Sequence, residues 1–277
     1  MPQKKTSFVR NAVSATMTKM RRTVNPADIL FTRNMTGINP VFQWKFIEMG
    51  ILLLEGGCEF QGKMEAPDRK ALALAGGQNA KVVIIPTAAA PDNNSKRAGN
   101  KASEWFRTLG ARNISALPII DKASANDPEL SAELDRANLI YILGGFPGYL
   151  DHTLKESRCL DALLRSYEKG AVLAGSSAGA MVLCEWYFDP AVKEIKKGFG
   201  VKKDVILIPH HDTFGRSWHS LYFDKISDIR CIGIDEQTGM MNQADRHQWA
   251  VYGKGGVTLY LKTSIASYKT GQSFRFQ

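Results

Sequence analysis

The stretch Gly175-Ser176-Ser177-Ala178-Gly179-Ala180 has the residue types and spacing of a nucleophilic serine site. An apolar run, Ala171 to Ala174, precedes it, and a helix-compatible run, Ala178 to Tyr187, follows it. A strand that turns sharply into a helix exposes the serine at the turn, and small neighbours allow that turn without steric clash. We therefore predict that Ser177 is a nucleophile. The same small residues would also suit a purely structural turn, so the prediction depends on a base nearby.

Two backbone amides are candidates for stabilising the negative charge that develops during attack by such a serine. The amide of Ala178 would lie at a helix N-terminus, where free N–H groups and the helix dipole favour negative charge. Gly144-Gly145 follows another apolar run and would let the backbone approach a ligand closely. We predict that Gly145 and Ala178 form an oxyanion hole and that Gly144 lines the substrate site. A tight turn without a ligand is the alternative at Gly145.

A serine nucleophile needs a base, and the chain has 5 histidines. Pro209-His210-His211-Asp212 follows an apolar run, so either His210 or His211 could reach the carboxyl edge of a sheet. Because successive side chains of an extended segment point to opposite sides, only one of the two can face the serine. We choose His210 as the base and leave His211 as a substrate-contacting neighbour.

A carboxylate is expected to hold the imidazole of the base in the correct tautomer. In the chain order serine, carboxylate, histidine, the candidates are Asp189 and Glu194, and the sequence does not decide between them. An esterase of the α/β-hydrolase kind would instead use the order Ser177, Asp235, His247.

Alternating apolar runs and amphipathic segments must position these residues. The predicted strands are Ile51–Leu54, Val82–Ile85, Ile114–Leu117, Leu139–Leu143, Ala171–Ala174, Val205–Ile208 and Cys231–Ile234. The predicted helices are Pro67–Ala75, Lys96–Leu109, Pro128–Ala137, Cys159–Glu168, Ala178–Tyr187 and Ser217–Ile229. This alternation predicts an α/β fold with a doubly wound, mostly parallel sheet flanked by helices. Trp249–Gly253 and Val257–Leu261, joined by Lys254-Gly255-Gly256, predict an antiparallel C-terminal edge hairpin.

The net charge of +9 is concentrated at one end of the chain. The first 47 residues contain eight basic residues and only Asp28 as an acid, so they carry +7 of it. We predict a flexible basic extension over residues 1–45 and a single α/β domain over residues 46–277. An organelle-targeting segment and a misassigned start are alternatives for the extension. We expect no nucleic-acid partner, since aromatic residues do not interleave with the basic ones.

The composition, 44% hydrophobic and 23% charged residues, is that of a globular domain. No apolar run approaches the roughly 18 residues that a membrane span needs, so we expect no membrane partner. The 4 cysteines are scattered and show no zinc-ligand spacing. We therefore expect no metal, no cofactor and a reducing, cytoplasmic location.

Several motifs together resemble the cyanophycinase and dipeptidase E family of serine peptidases, which has a class I glutamine-amidotransferase-like fold. The likeness covers most of the chain after the extension. The motifs are Leu54-Glu55-Gly56-Gly57, Val83-Ile84-Ile85-Pro86-Thr87-Ala88, Phe106 to Ala111, Ala125-Asn126-Asp127-Pro128, Gly144-Gly145, Gly175 to Ala180, Pro209-His210, Gly233-Ile234-Asp235-Glu236-Gln237-Thr238 and Gly253-Lys254-Gly255.

The resemblance implies hydrolysis through an acyl-enzyme on Ser177 with His210 as base. It also implies a homodimer and supporting or substrate-contacting roles for Asp235 and Glu236. The chain departs from the family at Phe146-Pro147, where cyanophycinases carry Asp-Gln and dipeptidase E enzymes carry Asn. A basic segment of the family is reduced here to Gly215-Arg216-Ser217. Phe146 would line the substrate site, and Arg216 would either pair with a substrate carboxylate or serve solubility alone.

These observations predict a serine peptidase that cleaves small peptides or isopeptides beside an Asp or β-Asp residue. Two alternatives remain, because the Phe146-Pro147 departure removes a polar substrate contact. One is a catalytically silent ligand-binding or regulatory relative, and the other is the esterase.

Overall fold

Two β-sheets and the helices that connect their strands make up the described part of the chain. The computed structural model describes residues 50–219, 229–261 and 263–276. The predicted basic extension, residues 1–45, lies outside the described residues, as does most of the predicted helix Ser217–Ile229. Both therefore remain predictions, as does the boundary between the extension and the α/β domain.

The described strands, in chain order, are β1 (Leu52–Glu55), β2 (Lys81–Ile85), β3 (Asn113–Ala116), β4 (Leu139–Ile142), β5 (Val172–Ser176), β6 (Cys184–Asp189), β7 (Glu194–Lys197), β8 (Lys202–Ile208), β9 (Arg230–Ile234), β10 (Thr238–Asn242), β11 (Gln248–Gly253), β12 (Gly256–Leu261), β13 (Ser264–Lys269) and β14 (Ser273–Arg275). The described α-helices are α1 (Glu65–Leu74), α2 (Ser95–Thr108), α3 (Pro128–Asp135), α4 (Pro147–Leu154), α5 (Arg158–Glu168) and α6 (Ala178–Leu183).

The described strands form one sheet of eight strands, in the order β14-β11-β10-β1-β5-β4-β2-β3, and one of six, in the order β13-β12-β9-β8-β6-β7. In the first sheet, β1, β5, β4, β2 and β3 are parallel, and β10 joins β1 in antiparallel register. In the second, β6, β8 and β9 are parallel. The carboxyl ends of these parallel strands are where an open α/β sheet binds its ligands.

The central strands are buried on both faces, which explains why they are almost entirely apolar before their last residues, Glu55 in β1 and Ser176 in β5. Along β1, Leu52 and Leu54 pack into one core cluster and Leu53 into the other. In β4, Ile140 and Ile142 lie in the first cluster, and their neighbours along the strand lie in the second. This alternation follows from the period of two in a strand and leaves the strand ends for polar residues.

The α/β class and the predicted strands are confirmed, with small shifts of their ends. Two helices differ from the sequence-based expectations. The helix predicted over Ala178–Tyr187 ends at Leu183, and the chain continues as β6. The second is α4, which the sequence pattern did not predict. It begins at Pro147, because proline is well suited to the first position of a helix.

The C-terminal edge hairpin exists, but different strands form it. The segments Trp249–Gly253 and Val257–Leu261 do not pair with each other, because β11 lies in the eight-stranded sheet and β12 in the six-stranded one. The hairpin at the edge is formed by β12 and β13, which pair from Gly256 opposite Lys269 to Leu261 opposite Ser264. Within the described ranges, the helices are all too short or too polar to cross a membrane.

Candidate active site

Ser177 occupies a sharp turn between β5 and α6. Its backbone dihedrals are φ 47° and ψ −112°, a conformation that is costly for a residue with a Cβ. Its amide donates a hydrogen bond to the carbonyl of Glu55 at 3.0 Å, which attaches the turn to the end of the adjacent strand β1. A strained strand-to-helix turn of this kind presents the serine Oγ above the edge of the sheet, as the sequence predicts.

His210 reaches Ser177 from the second sheet. It follows β8, and its Nε2 lies 3.1 Å from the Oγ of Ser177. Its amide donates to the carbonyl of Gly56 at 2.7 Å, so the first loop of one sheet holds the histidine of the other. At Gly57, which has φ +113°, a Cβ would lie 2.3 Å from the imidazole. The close approach of the histidine therefore requires glycine at this position.

Glu236 contacts the other nitrogen of the same imidazole. Its Oε1 lies 2.8 Å from His210 Nδ1, and its amide donates to Asp212 Oδ1 at 2.7 Å. The hydrogen bond with His210 holds the pKa of the Glu236 carboxyl below its usual value. Ser177, His210 and Glu236 thus form a continuous chain of hydrogen bonds, and a carboxylate on Nδ1 leaves Nε2 free to accept a proton.

The carboxylates predicted to fill this position, Asp189 and Glu194, lie elsewhere. Asp189 ends β6, is 4% exposed and accepts a hydrogen bond from Lys196 Nζ at 2.8 Å. Glu194 begins β7 opposite Asp189 and is exposed. The expectation that the carboxylate precedes the histidine in the chain is therefore wrong, because the carboxylate that contacts His210 is Glu236. Glu236 follows His210 by 26 positions.

The esterase arrangement is contradicted by the position of His247. Its amide bonds Asp245 Oδ1 at 3.1 Å, just before β11 begins. Strand register places this end of β11 beside Asn242, at the amino end of β1. Ser177 lies past the carboxyl end of β5, which is parallel to β1, so the two residues lie at opposite edges of the sheet.

His211 is turned away from Ser177, as expected for the neighbour of a residue that faces the site. It is 1% exposed, its Nε2 lies 2.7 Å from the hydroxyl of Tyr260, and its Nδ1 lies 3.4 Å from Asp235 Oδ1. Burial alone would raise the pKa of Asp235, but the hydrogen bonds from His211 and the Gly256 amide lower it. The prediction that His211 contacts substrate is therefore wrong, because the His211 side chain is buried beside Asp235 and Tyr260.

The Gly144-Gly145 loop lies beside the serine turn. A Cβ at Gly144 would be 3.2 Å from the Cβ of Ser177, and one at Gly145, φ +138°, would be 2.2 Å from the carbonyl of Ala88. Only glycine fits this approach. The Gly144-Gly145 loop thus lies beside Ser177, and Ala178 follows Ser177 as the first residue of α6. The oxyanion hole formed by the amides of Gly145 and Ala178 stays a prediction.

Glu59 connects these two loops and was not singled out from the sequence. Its carboxylate accepts hydrogen bonds from Ser176 Oγ at 3.1 Å and from the Gly144 amide at 3.3 Å. An acid two residues after Gly56-Gly57 was a visible signal, because that loop follows a strand at the same edge. Glu59 positions the Gly144 loop against the turn that carries the serine.

Phe146 and Arg216 are exposed residues that follow two of the loops of the site. Phe146 precedes α4, is 40% exposed and follows the Gly144-Gly145 pair. Arg216 is exposed in the 3-10 turn Gly215–Trp218 that follows His210. The structure is compatible with the predicted contribution of both side chains to substrate binding, which stays a prediction.

A cleft of about 470 Å³ extends from the Gly144-Gly145 loop toward α2. Arg97 and Lys101, one helical turn apart on α2, line it together with Asp92 and Phe146. Arg97 Nε donates to Asn94 Oδ1 at 2.7 Å. Two cationic side chains and two acids, Asp92 and Glu59, therefore line the cleft together with the Gly144-Gly145 loop.

A thiol lies next to the histidine and the carboxylate. The ligand atoms of Cys58, His210 and Glu236 all lie within 4.8 Å of one another. Burial, and then the adjacent Glu236, raise the pKa of the Cys58 thiol to about 11. Among the residues that the structure describes, these three form a group whose side chains could hold a metal ion.

Two buried acids lie below the serine turn. Glu55 and Asp68 are both 0% exposed. The hydroxyl of Tyr141 donates to Glu55 Oε2, and Trp105 Nε1 donates to Asp68 Oδ2 at 2.8 Å. Burial raises the pKa of Glu55 well above its usual value and that of Asp68 to about 7. A proton held between the two carboxyl groups would satisfy the remaining oxygen of each, Glu55 Oε1 and Asp68 Oδ1.

Replacing Asp68 by asparagine is expected to flatten the pH dependence of stability. With its pKa raised to about 7, Asp68 holds a proton in the folded protein that the unfolded chain releases near pH 4. The folded state then binds more protons between these values, so the free energy of unfolding falls as pH rises, by up to about 1.4 kcal/mol per pH unit. The asparagine side chain cannot titrate, and its carbonyl oxygen can still accept a hydrogen bond from Trp105.

The measurement is urea unfolding of wild type and Asp68→Asn at pH 5, 6, 7 and 8. The loss of unfolding free energy from pH 5 to 8 should be smaller in the variant. Asp161→Asn, which alters an exposed acid on α5, is the matched control and should follow wild type. Parallel curves for wild type and Asp68→Asn would contradict the assignment.

A serine, a histidine and a carboxylate in hydrogen-bond contact, at the carboxyl ends of parallel strands, form the arrangement used by serine hydrolases. The model of peptidase family S51 matches residues 51–248. The cyanophycinase of Synechococcus elongatus is 30% identical over 226 residues, which cover 76% of this chain and 67% of that protein. The chain therefore belongs to peptidase family S51, and it is a serine peptidase.

Solved structures agree with this assignment. The crystal structure of a peptidase from an acI-B1 actinobacterium superposes with a TM-score of 0.75 at 27% identity, over 82% of this chain and 97% of that chain. A candidate peptidase E from Listeria monocytogenes EGD-e, at 16% identity and a TM-score of 0.51, covers 80% of this chain and 100% of its own. The second similarity supports the fold alone.

Proposed function

We propose that this peptidase cleaves small peptides or isopeptides beside an Asp or β-linked Asp residue, through an acyl-enzyme on Ser177. The observation that carries the proposal is the pair of contacts on His210, at 3.1 Å to Ser177 Oγ and 2.8 Å to Glu236 Oε1. The relatives named cyanophycinases favour an acidic site of cleavage. Phe146-Pro147, which replaces the polar pair of cyanophycinases, argues against cyanophycin itself as the substrate.

In the first half of the reaction, Ser177 Oγ attacks the carbonyl carbon of the substrate. His210 Nε2 takes the hydroxyl proton, and Glu236 stabilises the imidazolium through Nδ1–H. The amides of Gly145 and Ala178 stabilise the tetrahedral oxyanion. The C–N bond then breaks as His210 passes its proton to the leaving amine, which leaves Ser177 acylated.

In the second half, a water molecule replaces the amine. His210 takes a proton from this water, whose oxygen attacks the acyl carbon and forms a second tetrahedral intermediate in the same oxyanion hole. Collapse of this intermediate breaks the bond to Ser177 Oγ, which recovers its proton from His210. The products are a carboxylic acid and an amine.

The substrate class is supported by two cationic side chains that line the cleft. Arg97 and Lys101 lie at positions i and i+4 of α2, which places both side chains on one helix face. Their guanidinium and ammonium groups can bind the carboxylate of a substrate that reaches the cleft past Gly144, which lies beside Ser177. The acid Asp92 also lines the cleft and could contact the amino group of a short peptide.

Removing the two cations is expected to raise KM for acidic substrates. We expect Arg97→Ala and Lys101→Ala each to raise KM about tenfold for an Asp-containing dipeptide, which corresponds to about 1.4 kcal/mol. The KM of the matched Asn dipeptide should change less than threefold, since its amide carries no charge. The measurement is amine release from Asp, β-Asp and Asn dipeptides at several substrate concentrations.

Arg107→Ala is the matched control, because Arg107 lies on the same helix but outside the cleft. It should leave the KM of both substrates at the wild-type value. Equal changes of KM for Asp and Asn dipeptides would contradict charge recognition by Arg97 and Lys101. Failure of wild type to cleave any peptide of the panel would contradict the proposed substrate class.

Two further expectations concern assembly and activity. A homodimer is a prediction from the family resemblance. A catalytically silent ligand-binding relative is not favoured, since the chain belongs to a peptidase family and has a Ser–His–Glu arrangement.

A further inference from the structure

The Cys58 thiol lies inside the serine site, but the proposed peptidase reaction does not use it. Cys58 follows Gly56-Gly57 in the first loop and has φ 57°, a backbone conformation uncommon for a residue with a side chain. Its side chain interacts with the Glu236 carboxylate. A thiol therefore adjoins the same carboxylate that bonds His210.

Sulfur, imidazole nitrogen and carboxylate oxygen are the three ligand types that bind Zn²⁺ in proteins. Bond lengths of about 2.3 Å to sulfur and about 2.0–2.2 Å to nitrogen or oxygen place the ligand atoms of a tetrahedral site roughly 3.3–3.8 Å apart. In this cluster the three ligand atoms lie within 4.8 Å of one another, and His210 Nδ1 and Glu236 Oε1 are 2.8 Å apart. Shifts of about an ångström in these side chains would place the three ligand atoms at three corners of a tetrahedron around the ion.

We propose that Cys58, His210 and Glu236 bind one Zn²⁺ ion and that this ion inhibits the peptidase. The ligand atoms are Cys58 Sγ, His210 Nδ1 and a Glu236 oxygen, with water in the fourth position. All three residues are partly exposed, so an ion can enter from solvent. The inhibitory half of the inference rests on the proposed function of His210, whereas the binding half does not.

Inhibition follows from the position of the imidazole proton. In the free enzyme, Nδ1–H donates to Glu236, and Nε2 has the lone pair that accepts the Ser177 proton. A metal on Nδ1 needs the lone pair of that nitrogen, so the single ring proton moves to Nε2. Cys58 binds as thiolate and releases its proton to solvent. The ring then donates to Ser177 and can no longer act as its base.

The binding half is tested with Co²⁺, which replaces Zn²⁺ and is visible by absorption spectroscopy. We expect one equivalent of Co²⁺ to give wild type a thiolate-to-cobalt charge-transfer band, which one equivalent of Zn²⁺ removes. Cys58→Ser keeps the size of the side chain and should lose the band. Loss of an outer-shell partner already lowers metal affinity about 10- to 100-fold, so loss of this direct ligand should lower it by at least about tenfold. Cys159→Ala, which alters a buried thiol elsewhere, should keep it. No band in wild type, or a band that persists in Cys58→Ser, would overturn the proposal.

The inhibitory half is tested by the rate at which a fluorophosphonate labels Ser177. Zn²⁺ should slow labelling of wild type at least tenfold, and a chelator should restore it, whereas labelling of Cys58→Ser should need at least tenfold more Zn²⁺ to slow equally. Equal zinc sensitivity of the two proteins would overturn the assignment of Cys58. Absence of labelling in metal-free wild type would instead count against the proposed peptidase function, and the cobalt spectrum would still decide the metal site.

Discussion

Replacing Ser177 by alanine is expected to lower kcat by about 10⁴- to 10⁶-fold, the range found when single members of a serine-protease triad are removed. The Oγ atom is the only part of the site that forms a covalent bond in the proposed reaction, so no neighbouring group can replace it. The change removes one oxygen atom at a partly exposed position, and the turn is held by the bond from the Ser177 amide to Glu55. The variant should therefore fold as wild type does.

The measurement combines hydrolysis of Asp dipeptides with intact-mass detection of fluorophosphonate labelling. Wild type should gain one adduct and Ser177→Ala none. Ser176→Ala is the matched control, because the neighbouring hydroxyl is 0% exposed and donates to Glu59 rather than to His210. It should keep the adduct and lose less than tenfold in rate. An adduct on Ser177→Ala, or retention of wild-type turnover, would contradict the assignment of the nucleophile.

Most of the central sheet could be predicted, because its strands are buried on both faces. Leu52 to Leu54 of β1 and the whole of β4 are continuous apolar runs, which few other environments require. β5 was recognised for the same reason, and with it the serine turn. The position of Ser177 was thus fixed by local pattern, without knowledge of any distant contact.

The strands that were missed depend on pairing rather than on their own composition. β10 contains Gly239, which disfavours a strand, and lacks β-branched and aromatic residues after Thr238, but it pairs with both β1 and β11. β6 follows directly after α6, so the sequence pattern predicts its aromatic residues as a continuation of the helix. In both segments the tertiary partner decides the conformation, and the partner is far away in sequence.

The carboxylate was missed because chain order is a poor guide to spatial order. β8 and β9 are parallel neighbours, with Ile208 opposite Gly233. The residues just beyond these two strands therefore meet, and His210 lies close to Glu236. A search along the chain between Ser177 and His210 could not find this partner, whereas strand adjacency would have indicated it.

The buried acids and Glu59 show a second limit of the sequence. Nothing in the sequence around Glu55 and Asp68 distinguishes them from other charged residues, and Glu59 is marked only by its place after Gly56-Gly57. Glu55 is bonded by Tyr141 and Asp68 by Trp105, which lie 86 and 37 positions away from them in the chain. Only the folded structure shows that the carboxyl groups of Glu55 and Asp68 are enclosed, and burial, not residue type, raises their pKa.

Replacing Glu236 by glutamine is expected to lower kcat by about 10⁴-fold while the fold is kept. The carboxylate accepts the Nδ1 proton of His210 and so leaves Nε2 unprotonated beside Ser177. The amide of glutamine can donate to Nδ1, which places the imidazole proton on Nε2 and removes the base. It also cannot stabilise the imidazolium charge. KM should change little, because the acyl-transfer step rather than binding is affected.

Glu194→Gln is the matched control, since Glu194 is exposed in β7 and was the alternative carboxylate in the sequence. It should retain wild-type kcat, and both variants should unfold within about 1 kcal/mol of wild type, as changes away from buried features usually do. A similar loss of kcat in the two variants would contradict a specific role of Glu236. So would a Glu236→Gln enzyme in which KM rises and kcat is unchanged, because the residue would then act on substrate binding and not on the histidine tautomer. A fall in kcat at unchanged KM is therefore the signature of a wrong His210 tautomer, and neither lost packing nor lost surface charge would produce it.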